Sequence, residues 1–197
     1  MRAVLLDYGV GNIHSLTKGL VAAGADIHVT EDPERLAEAP CIVLPGVGAF
    51  GHVARRLAPV RERVRERLAS GVPALAVCIG MQALYESSEE AEGDGIGLLP
   101  GRVRRLRHRV LPHIGWNSIR AGTDPIFEGV SGTATFYFVH SFAPSPCTDS
   151  VIAEAEYGDR FAAAARIHNT WGFQFHPEKS SAAGQVILKN FVRLAQS

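Results

Sequence analysis

The sequence has few cysteines, and their spacing is informative mainly for what it excludes. Only three occur in 197 residues, at positions 41, 78 and 147, and no two form a CxxC pair. An odd number without paired spacing argues against a disulfide framework and against a zinc site. The histidines at 14, 28, 52, 108, 113 and 168 show no ligand spacing either. We therefore expect reduced thiols and no bound metal or other cofactor.

Long apolar runs and an excess of one charge are also missing. The first apolar run, 3–6, is too short for the apolar region of a signal peptide. No stretch approaches the eighteen or so apolar residues of a membrane span. The 20 basic residues balance the 20 acidic ones, so the charge gives no reason to expect nucleic acid or an anionic membrane as a partner. These absences predict a cytoplasmic protein.

The first half of the chain contains alternating strand and helix patterns. Apolar strands are predicted at 3–7, 27–30, 41–44 and 73–77, with helical patterns between them. The last helical pattern contains Pro59, which predicts a kink or two shorter helices. Strands that alternate with helices imply a mostly parallel sheet with helices on both faces.

The second half reads as strands separated by Gly, Pro and Asp turns. These strands are predicted around 96–106, 111–120, 133–143, 150–157 and 162–175, and an amphipathic helix over 185–194 closes the chain. They suit an antiparallel extension of the sheet. Because the sequence shows no repeat, linker or low-complexity segment, we predict a single α/β domain over 1–197.

The segment most informative about chemistry surrounds Cys78. An apolar strand ends at this cysteine, and Gly80 follows as a helix begins. Such a strand–turn–helix elbow pushes a nucleophile out above the sheet and places N–H groups beside the sulfur, which favours the thiolate. The Ile79 N–H would lie where an oxyanion forms. The elbow alone leaves open the alternative that Cys78 is a small buried apolar residue.

A histidine and a glutamate near the end of the chain supply the missing partners. His176 ends an apolar segment, and Glu178 follows after Pro177, which stiffens the backbone between them. A cysteine nucleophile needs a base for its proton and a carboxylate that fixes the tautomer of that base. His-Pro-Glu alone could be a chance tripeptide, but together with the elbow it predicts a catalytic triad.

A glycine-rich loop is the third element. Pro45-Gly46-Val47-Gly48 follows the third predicted strand, where the ligand-binding loops of parallel sheets lie. Its glycines let the backbone approach a ligand or reorient a peptide unit. The loop does not match the phosphate-binding GxxxxGK[ST] pattern, and an ordinary strand–helix turn is the alternative.

Together and in this order, the elbow, the loop and the His-Pro-Glu segment resemble the class I glutamine amidotransferases over essentially the whole chain. The resemblance implies a flavodoxin-like fold and a thioester mechanism in which Cys78 attacks the side-chain carboxamide of glutamine. His176 would move the proton, and Glu178 would orient His176. The family usually has glycine two residues before the nucleophile. Here that residue is Ala76, for which we expect a slightly tighter elbow and no loss of function.

The resemblance also implies the surroundings of the substrate. Val47, Gly48 and Ile79 would form the oxyanion site, and we hypothesise that a bound partner and its substrate turn the Val47 N–H into place. Glu90 suits the ammonium group of glutamine, although the neighbouring acidic residues also fit a solvated turn. The residues implied for glutamine binding are Gly46, Gln82, Glu90, His140, Ser141 and Phe142.

Six segments resemble one branch of the family most closely, and they begin at Asp7, Pro45, Cys78, Pro112, Phe136 and Phe173. In that branch the partner is a (β/α)8-barrel cyclase that uses the ammonia to form an imidazole ring. The resemblance therefore implies a heterodimer with such a cyclase. The residues implied at or near the interface are Asn12, Trp116, Asn117, Tyr137 and Lys179.

Two rival functions stay open at this point. A catalytically silent regulatory module of the same fold would lose a triad residue, and all three are present. A glutaminase that serves another acceptor would keep the same triad. The arginines at 102, 104, 105, 107 and 109 fit either an exposed strand face or a partner contact.

Overall fold

The alternating pattern of the first half builds a central sheet between two layers of helices. The computed structural model describes residues 1–11, 13–145 and 149–196, so Asn12 and Cys147 lie outside the described residues. Within them the strands are β1 (Arg2–Leu6), β2 (Asp26–Thr30), β3 (Ile42–Leu44), β4 (Ala74–Val77), β5 (Tyr85–Ser88), β6 (Leu99–Arg105), β7 (His113–Ser118), β8 (Arg120–Ala121), β9 (Thr135–His140), β10 (Phe142–Pro144), β11 (Val151–Tyr157), β12 (Asp159–Ile167) and β13 (Thr170–Phe173). The α-helices are α1 (His14–Ala22), α2 (Phe50–Leu57), α3 (Arg61–Ala69), α4 (Ile79–Gln82) and α5 (Ser181–Leu194), and 3₁₀ helices lie at Pro33–Glu38, Pro125–Phe127 and Pro177–Lys179.

The central sheet has the strand order β2-β1-β3-β4-β13-β12-β11-β8. From β2 to β13 the neighbouring strands are parallel, and from β13 to β8 they are antiparallel. The predicted fold class, a mostly parallel sheet with an antiparallel extension, is confirmed. Two smaller sheets, β10-β6-β5 and β7-β9, complete the chain.

Both faces of the parallel strands are buried, as in sheets that carry helices on each side. In β1, Ala3 and Leu5 belong to the cluster that contains apolar residues of α1 and α5. Val4 and Leu6 belong to the cluster that contains those of α2 and α3. The helices therefore lie on both faces, as predicted. Among the described residues, no helix combines the length and apolar character that crossing a membrane requires.

Pro59 divides the third helical pattern, because α2 ends at Leu57 and α3 begins at Arg61. Proline cannot donate a backbone hydrogen bond and disfavours continuation of a helix. Of the two forms that the sequence allowed, the structure shows two shorter helices.

The second half corrects the predicted boundaries. The segment 162–175 is not one strand: β12 and β13 form an antiparallel hairpin, and His168 turns the chain with φ of 50°. The strand β5 was not predicted, and α5 begins at Ser181 rather than at 185. Because β13 is a separate strand that pairs with β4, its end lies beside the end of β4 at the candidate site.

Candidate active site

Three neighbouring parallel strands end at one edge of the sheet, and the predicted catalytic segments follow them. β4 lies between β3 and β13, and Val77 is opposite Phe173. Because the carboxyl ends of parallel strands share an edge, the loop after β3, Cys78 after β4 and His176 after β13 meet there. The fold therefore places the glycine loop and the cysteine and histidine segments at one edge.

Cys78 occupies a strained turn between β4 and α4. Its φ of 47° and ψ of −109° are values that non-glycine residues rarely adopt. The Cys78 N–H donates to the Phe173 carbonyl at 2.6 Å, and the Gln82 N–H donates to the Cys78 carbonyl at 3.0 Å. A Cβ at Gly80 would run into the Leu44 carbonyl oxygen, so only glycine fits there. The cysteine therefore lies in a nucleophile elbow, and it is 7% exposed.

His176 and Glu178 form a buried pair. The Nδ1 atom of His176 lies 2.8 Å from Oε1 of Glu178, and the two side chains are 3% and 7% exposed. A carboxylate only accepts hydrogen bonds, so Nδ1 carries a hydrogen. Among the described residues, Nε2 of His176 has no hydrogen-bond partner. This nitrogen is therefore available to exchange a proton at the site.

The charges around His176 set its protonation state. Burial alone lowers the pKa of His176, but the negative charges of Cys78 and Glu178 outweigh burial and raise the pKa to about 9. These interactions favour the imidazolium form of the ring. In that form it can protonate a leaving group.

The backbone of the histidine segment is fixed by β9 and by Ser180. The His176 N–H donates to the Tyr137 carbonyl at 2.9 Å. The Ser180 hydroxyl donates to the His176 carbonyl at 2.6 Å and accepts the Tyr137 N–H at 3.0 Å. Ser180 thus joins the turn to β9, a role that the sequence analysis missed.

Gly46 lies against both the nucleophile and the base. A Cβ at this position would be 2.7 Å from Cε1 of His176 and 3.0 Å from Cβ of Cys78. The first distance is too short for any Cβ, and the second would require Cys78 to shift. Gly46 therefore lets the loop after β3 pack directly on the two residues.

The other residues predicted for the oxyanion site flank this contact. Val47 packs on the loop after β1, because a Cβ at Gly11 would lie 2.7 Å from Cβ of Val47. Gly48 has φ of 97°, which favours glycine. Ile79 directly follows Cys78 as the first residue of α4. The donor roles of Val47, Gly48 and Ile79 stay predictions.

Three of the predicted glutamine-binding residues meet at one backbone carbonyl. The Phe142 carbonyl accepts hydrogen bonds from Nε2 of Gln82 at 2.8 Å and from Nδ1 of His140 at 3.0 Å. Ser141 connects His140 to Phe142, and its carbonyl accepts the Leu106 N–H at 3.0 Å. The structure thus brings these four predicted residues together.

Glu90 belongs to a different part of the surface. Its carboxylate accepts the Phe50 N–H at 2.7 Å, and Phe50 is the first residue of α2. An acidic group suits this position, because the free N–H groups of a helix start attract negative charge. Glu90 therefore lies at the far end of the loop that begins with Gly46, and its contact with the substrate ammonium stays a prediction.

Comparison with known proteins decides the family. The sequence profile of the family described as "Glutamine amidotransferase class-I" matches residues 4–195. This chain belongs to the class I glutamine amidotransferases. Solved structures with little sequence similarity share the fold of this amidotransferase. A glutamine amidotransferase from Thermotoga maritima matches with a TM-score of 0.72 at 15% identity, covering 100% of this chain and 99% of that one.

Full-length relatives place the amidotransferase within a narrower group. Imidazole glycerol phosphate synthase subunit HisH of Methanosarcina barkeri is 44% identical, covering 97% of this chain and 98% of the relative. The HisH subunit of Natronomonas pharaonis is 46% identical, covering 96% of this chain and 93% of the relative. This amidotransferase therefore belongs with the HisH subunits.

Three of the residues predicted at the partner interface, Trp116, Tyr137 and Lys179, form a partly exposed group on β7, β9 and the turn after β13. Trp116 is opposite Tyr137, with ring centroids 6.1 Å apart. Nζ of Lys179 lies 5.8 Å from the centre of the Tyr137 ring. Trp116 is 52% exposed and Ile114, on the same face of β7, is 60% exposed. The structure gathers these residues on one surface of the amidotransferase, while Asn12 lies outside the described residues.

Asn117 does not share that surface, because neighbours on a strand point to opposite faces. Its Nδ2 donates to the Glu156 carbonyl at 3.0 Å and lies 3.5 Å from Nε2 of His113. Nδ1 of His113 is 3.1 Å from Nε2 of His140. Burial lowers the pKa of His113 to about 4 and that of His140 to about 3. The pair is neutral, and the sequence analysis did not assign His113 to it.

Proposed function

We propose that this chain is the glutaminase subunit of imidazole glycerol phosphate synthase. It would hydrolyse glutamine to glutamate and ammonia, and a cyclase subunit would use the ammonia to make imidazole glycerol phosphate and AICAR in histidine biosynthesis. The observation that carries the proposal is the buried His176–Glu178 pair beside Cys78 in its strained turn, in a chain over 40% identical to HisH subunits. A cytoplasmic location fits this pathway.

The first half of the reaction forms a thioester. The Cys78 thiolate attacks the side-chain carboxamide carbon of glutamine, and the carbonyl oxygen becomes an oxyanion. The His176 imidazolium gives its Nε2 proton to the carboxamide nitrogen as the carbon–nitrogen bond breaks and ammonia leaves. Glu178 accepts the Nδ1 hydrogen throughout, and it therefore holds the ring in orientation and stabilises its positive charge.

The second half returns the enzyme to its starting state. Water loses a proton to Nε2 of His176 and attacks the thioester carbon, and the carbon–sulfur bond breaks. Glutamate leaves and Cys78 is again a thiolate beside an imidazolium. The net reaction consumes one water and one glutamine, and it produces one glutamate and one ammonia.

Backbone N–H groups near the sulfur would stabilise the oxyanion. Ile79 contributes one from the start of α4, and the Val47–Gly48 segment contributes another after its peptide unit turns toward the site. Each such donor is worth about 10²–10³ in rate. Equal rates of glutamine hydrolysis with and without the partner and its substrate would exclude this regulation.

A (β/α)8-barrel cyclase is the proposed partner, docked on the partly exposed group of β7, β9 and the turn after β13. An exposed tryptophan beside an exposed isoleucine is typical of protein interfaces, where aromatic residues carry much of the binding energy. Lys179 directly follows Glu178 in sequence, so the same turn carries an interface residue and a triad residue.

Copurification with the cyclase and ammonia assays test the proposal together. The parent chain, mixed with a histidine-biosynthesis cyclase, should release glutamate and support formation of imidazole glycerol phosphate from glutamine. Cys78→Ala should keep the complex and lose the glutamine-dependent reaction, while added ammonium salts still support the cyclase. Retained glutaminase activity in Cys78→Ala would refute the mechanism. Failure to bind the cyclase would favour another acceptor, and an inactive parent chain would favour a silent regulatory module.

A further inference from the structure

A buried carboxamide outside the triad contacts the nucleophile. Gln174 is fully buried on the segment between β13 and His176, and its Nε2 lies 3.6 Å from the sulfur of Cys78. Its backbone N–H donates to the Ala163 carbonyl at 2.9 Å, so the residue is tied to β12. Burying a carboxamide is costly unless its polar atoms are satisfied. The contacts of Gln174 therefore need an explanation.

A second glutamine fixes which end of this carboxamide faces the sulfur. Nε2 of Gln82 lies 2.8 Å from the Phe142 carbonyl oxygen and 3.0 Å from Oε1 of Gln174. A carbonyl oxygen only accepts, so Gln82 must present its NH2 group to Phe142. The same NH2 group also faces Gln174, so the Gln174 side chain must accept this hydrogen bond with its oxygen. The NH2 group of Gln174 is then the one directed at Cys78.

The hydrogen bonds favour only this orientation of the two glutamine carboxamides. Turning the Gln174 carboxamide over would place two NH2 groups against each other. Turning both glutamines over would place the Gln82 oxygen against the Phe142 carbonyl oxygen. Each alternative buries two like groups in contact, which costs far more than the observed arrangement. The backbone carbonyl of Phe142 thus determines the group that the sulfur meets.

We propose that Gln174 is a positioning residue for the nucleophile, whose carboxamide NH2 donates a hydrogen bond to the Cys78 sulfur and stabilises the thiolate. Its orientation is held by Gln82 and the Phe142 carbonyl. This inference rests on the proposed function of Cys78. A hydrogen bond to an anion favours the charged form, and a fixed donor also restricts the direction of the sulfur.

The test must separate Gln174 from the other groups that act on the thiolate. The titratable groups nearby are His176 and Glu178, from the turn after β13, and His140 from β9, whose pKa is lowered in part by His176. All three stay unchanged in Gln174→Met, which keeps the length of the side chain and removes the donor. Gln185→Met is the matched control, because Gln185 is exposed on α5.

The measurement is the rate of Cys78 alkylation by iodoacetamide from pH 4 to pH 10, with the labelled peptide identified by mass spectrometry. Gln174→Met should move the rise of the profile up by about one pH unit, which is about a tenfold lower rate on the acidic side. Above the rise, the parent chain and the variant should react at similar rates. Gln185→Met should follow the parent. A merely structural role of Gln174 would lower the melting temperature without moving the profile.

A second variant keeps the test decisive if Gln174→Met does not fold. Gln82→Met removes the residue that orients Gln174, so its profile should move in the same direction by a smaller amount. If the parent chain hydrolyses glutamine and the folded variants have the same alkylation profile as the parent, the proposed role of Gln174 is refuted. The proposed function would be unaffected by that result. If the Cys78→Ala variant still hydrolyses glutamine, the proposed function itself is refuted.

Discussion

Replacing Gly46 with alanine is the sharpest single test of how the site is assembled. The new Cβ would lie 2.7 Å from Cε1 of His176, 3.0 Å from Cβ of Cys78 and 3.0 Å from Cγ1 of Val77. Ordinary contacts begin near 3.4 Å, so the histidine ring would have to retreat by about 0.7 Å and the cysteine by about 0.4 Å.

The expected result is a large loss of activity with a modest loss of stability. Misplacing reacting groups by about 1 Å can cost about 100-fold in rate, so glutamine hydrolysis should fall by about that factor. Inserting one methyl group into a packed region costs about 1–3 kcal/mol of unfolding free energy. The rate of ammonia release at saturating glutamine measures the loss of activity, and urea denaturation measures the loss of stability.

Two other glycines provide the controls. Nothing lies within 4 Å of a Cβ at Gly132, and its φ is not positive, so Gly132→Ala should change neither quantity. Gly24 has φ of 98° and open space around it. Gly24→Ala should therefore cost about 1–2 kcal/mol of stability and leave hydrolysis unchanged. Activity of Gly46→Ala within threefold of the parent would refute the argument that the loop must pack directly on Cys78 and His176.

Three further predictions concern charge. The free energy of unfolding should fall by about 3 kcal/mol from pH 7 to pH 5. The reason is that His113 and His140, with pKa values lowered to about 4 and about 3, stay neutral in the folded chain. In the unfolded chain the same histidines bind protons below about pH 6.5. Urea denaturation measures this, and a flat profile would contradict it. Glu178→Gln should move the alkaline limit of kcat/KM down by about one pH unit, since one of the charges that raise the pKa of His176 to about 9 is lost; an unmoved limit in the pH–rate profile would argue against the pairing. Asp124→Asn should cost about 3 kcal/mol of unfolding free energy with hydrolysis retained, because its buried carboxylate pairs with an arginine and accepts an indole N–H; calorimetry of the variant measures the loss.

The parallel part of the fold could be predicted from the sequence because its signals are local. Short apolar strands, helical patterns and Pro59 each act within a few residues, and all lie where expected. The hairpin between β12 and β13 could not be predicted this way. Its turn at His168 and Asn169 contains neither glycine nor proline, and the apolar residues on both sides read as one continuous strand. The polar strand Tyr85–Ser88 was missed because it lacks an apolar pattern.

The candidate site likewise contains residues that short motifs predict and a long-range contact that they do not. Cys78, His176 and Glu178 could be proposed because each lies in a short motif with its own chemistry. The contact of Gln174 with Cys78 joins residues 96 positions apart, and no spacing in the sequence reports such a contact. One local signal was available, since Gln174 interrupts an apolar segment only two residues before His176. A polar residue inside a buried strand end needs a partner there.

Closeness at this edge depends on residues that lack side chains as much as on residues that carry chemistry. A Cβ at Gly80 would collide with the backbone of β3, and a Cβ at Gly172 would lie 2.7 Å from Cγ of Met81. Gly46 excludes a side chain from the space between the base and the nucleophile. These three glycines lie in or shortly after three adjacent strands, and each lacks the atom that would force the segments apart. A polar triad on a looser edge would have the same residues and a different geometry. Close packing of this kind can hold the strained φ of Cys78 in place.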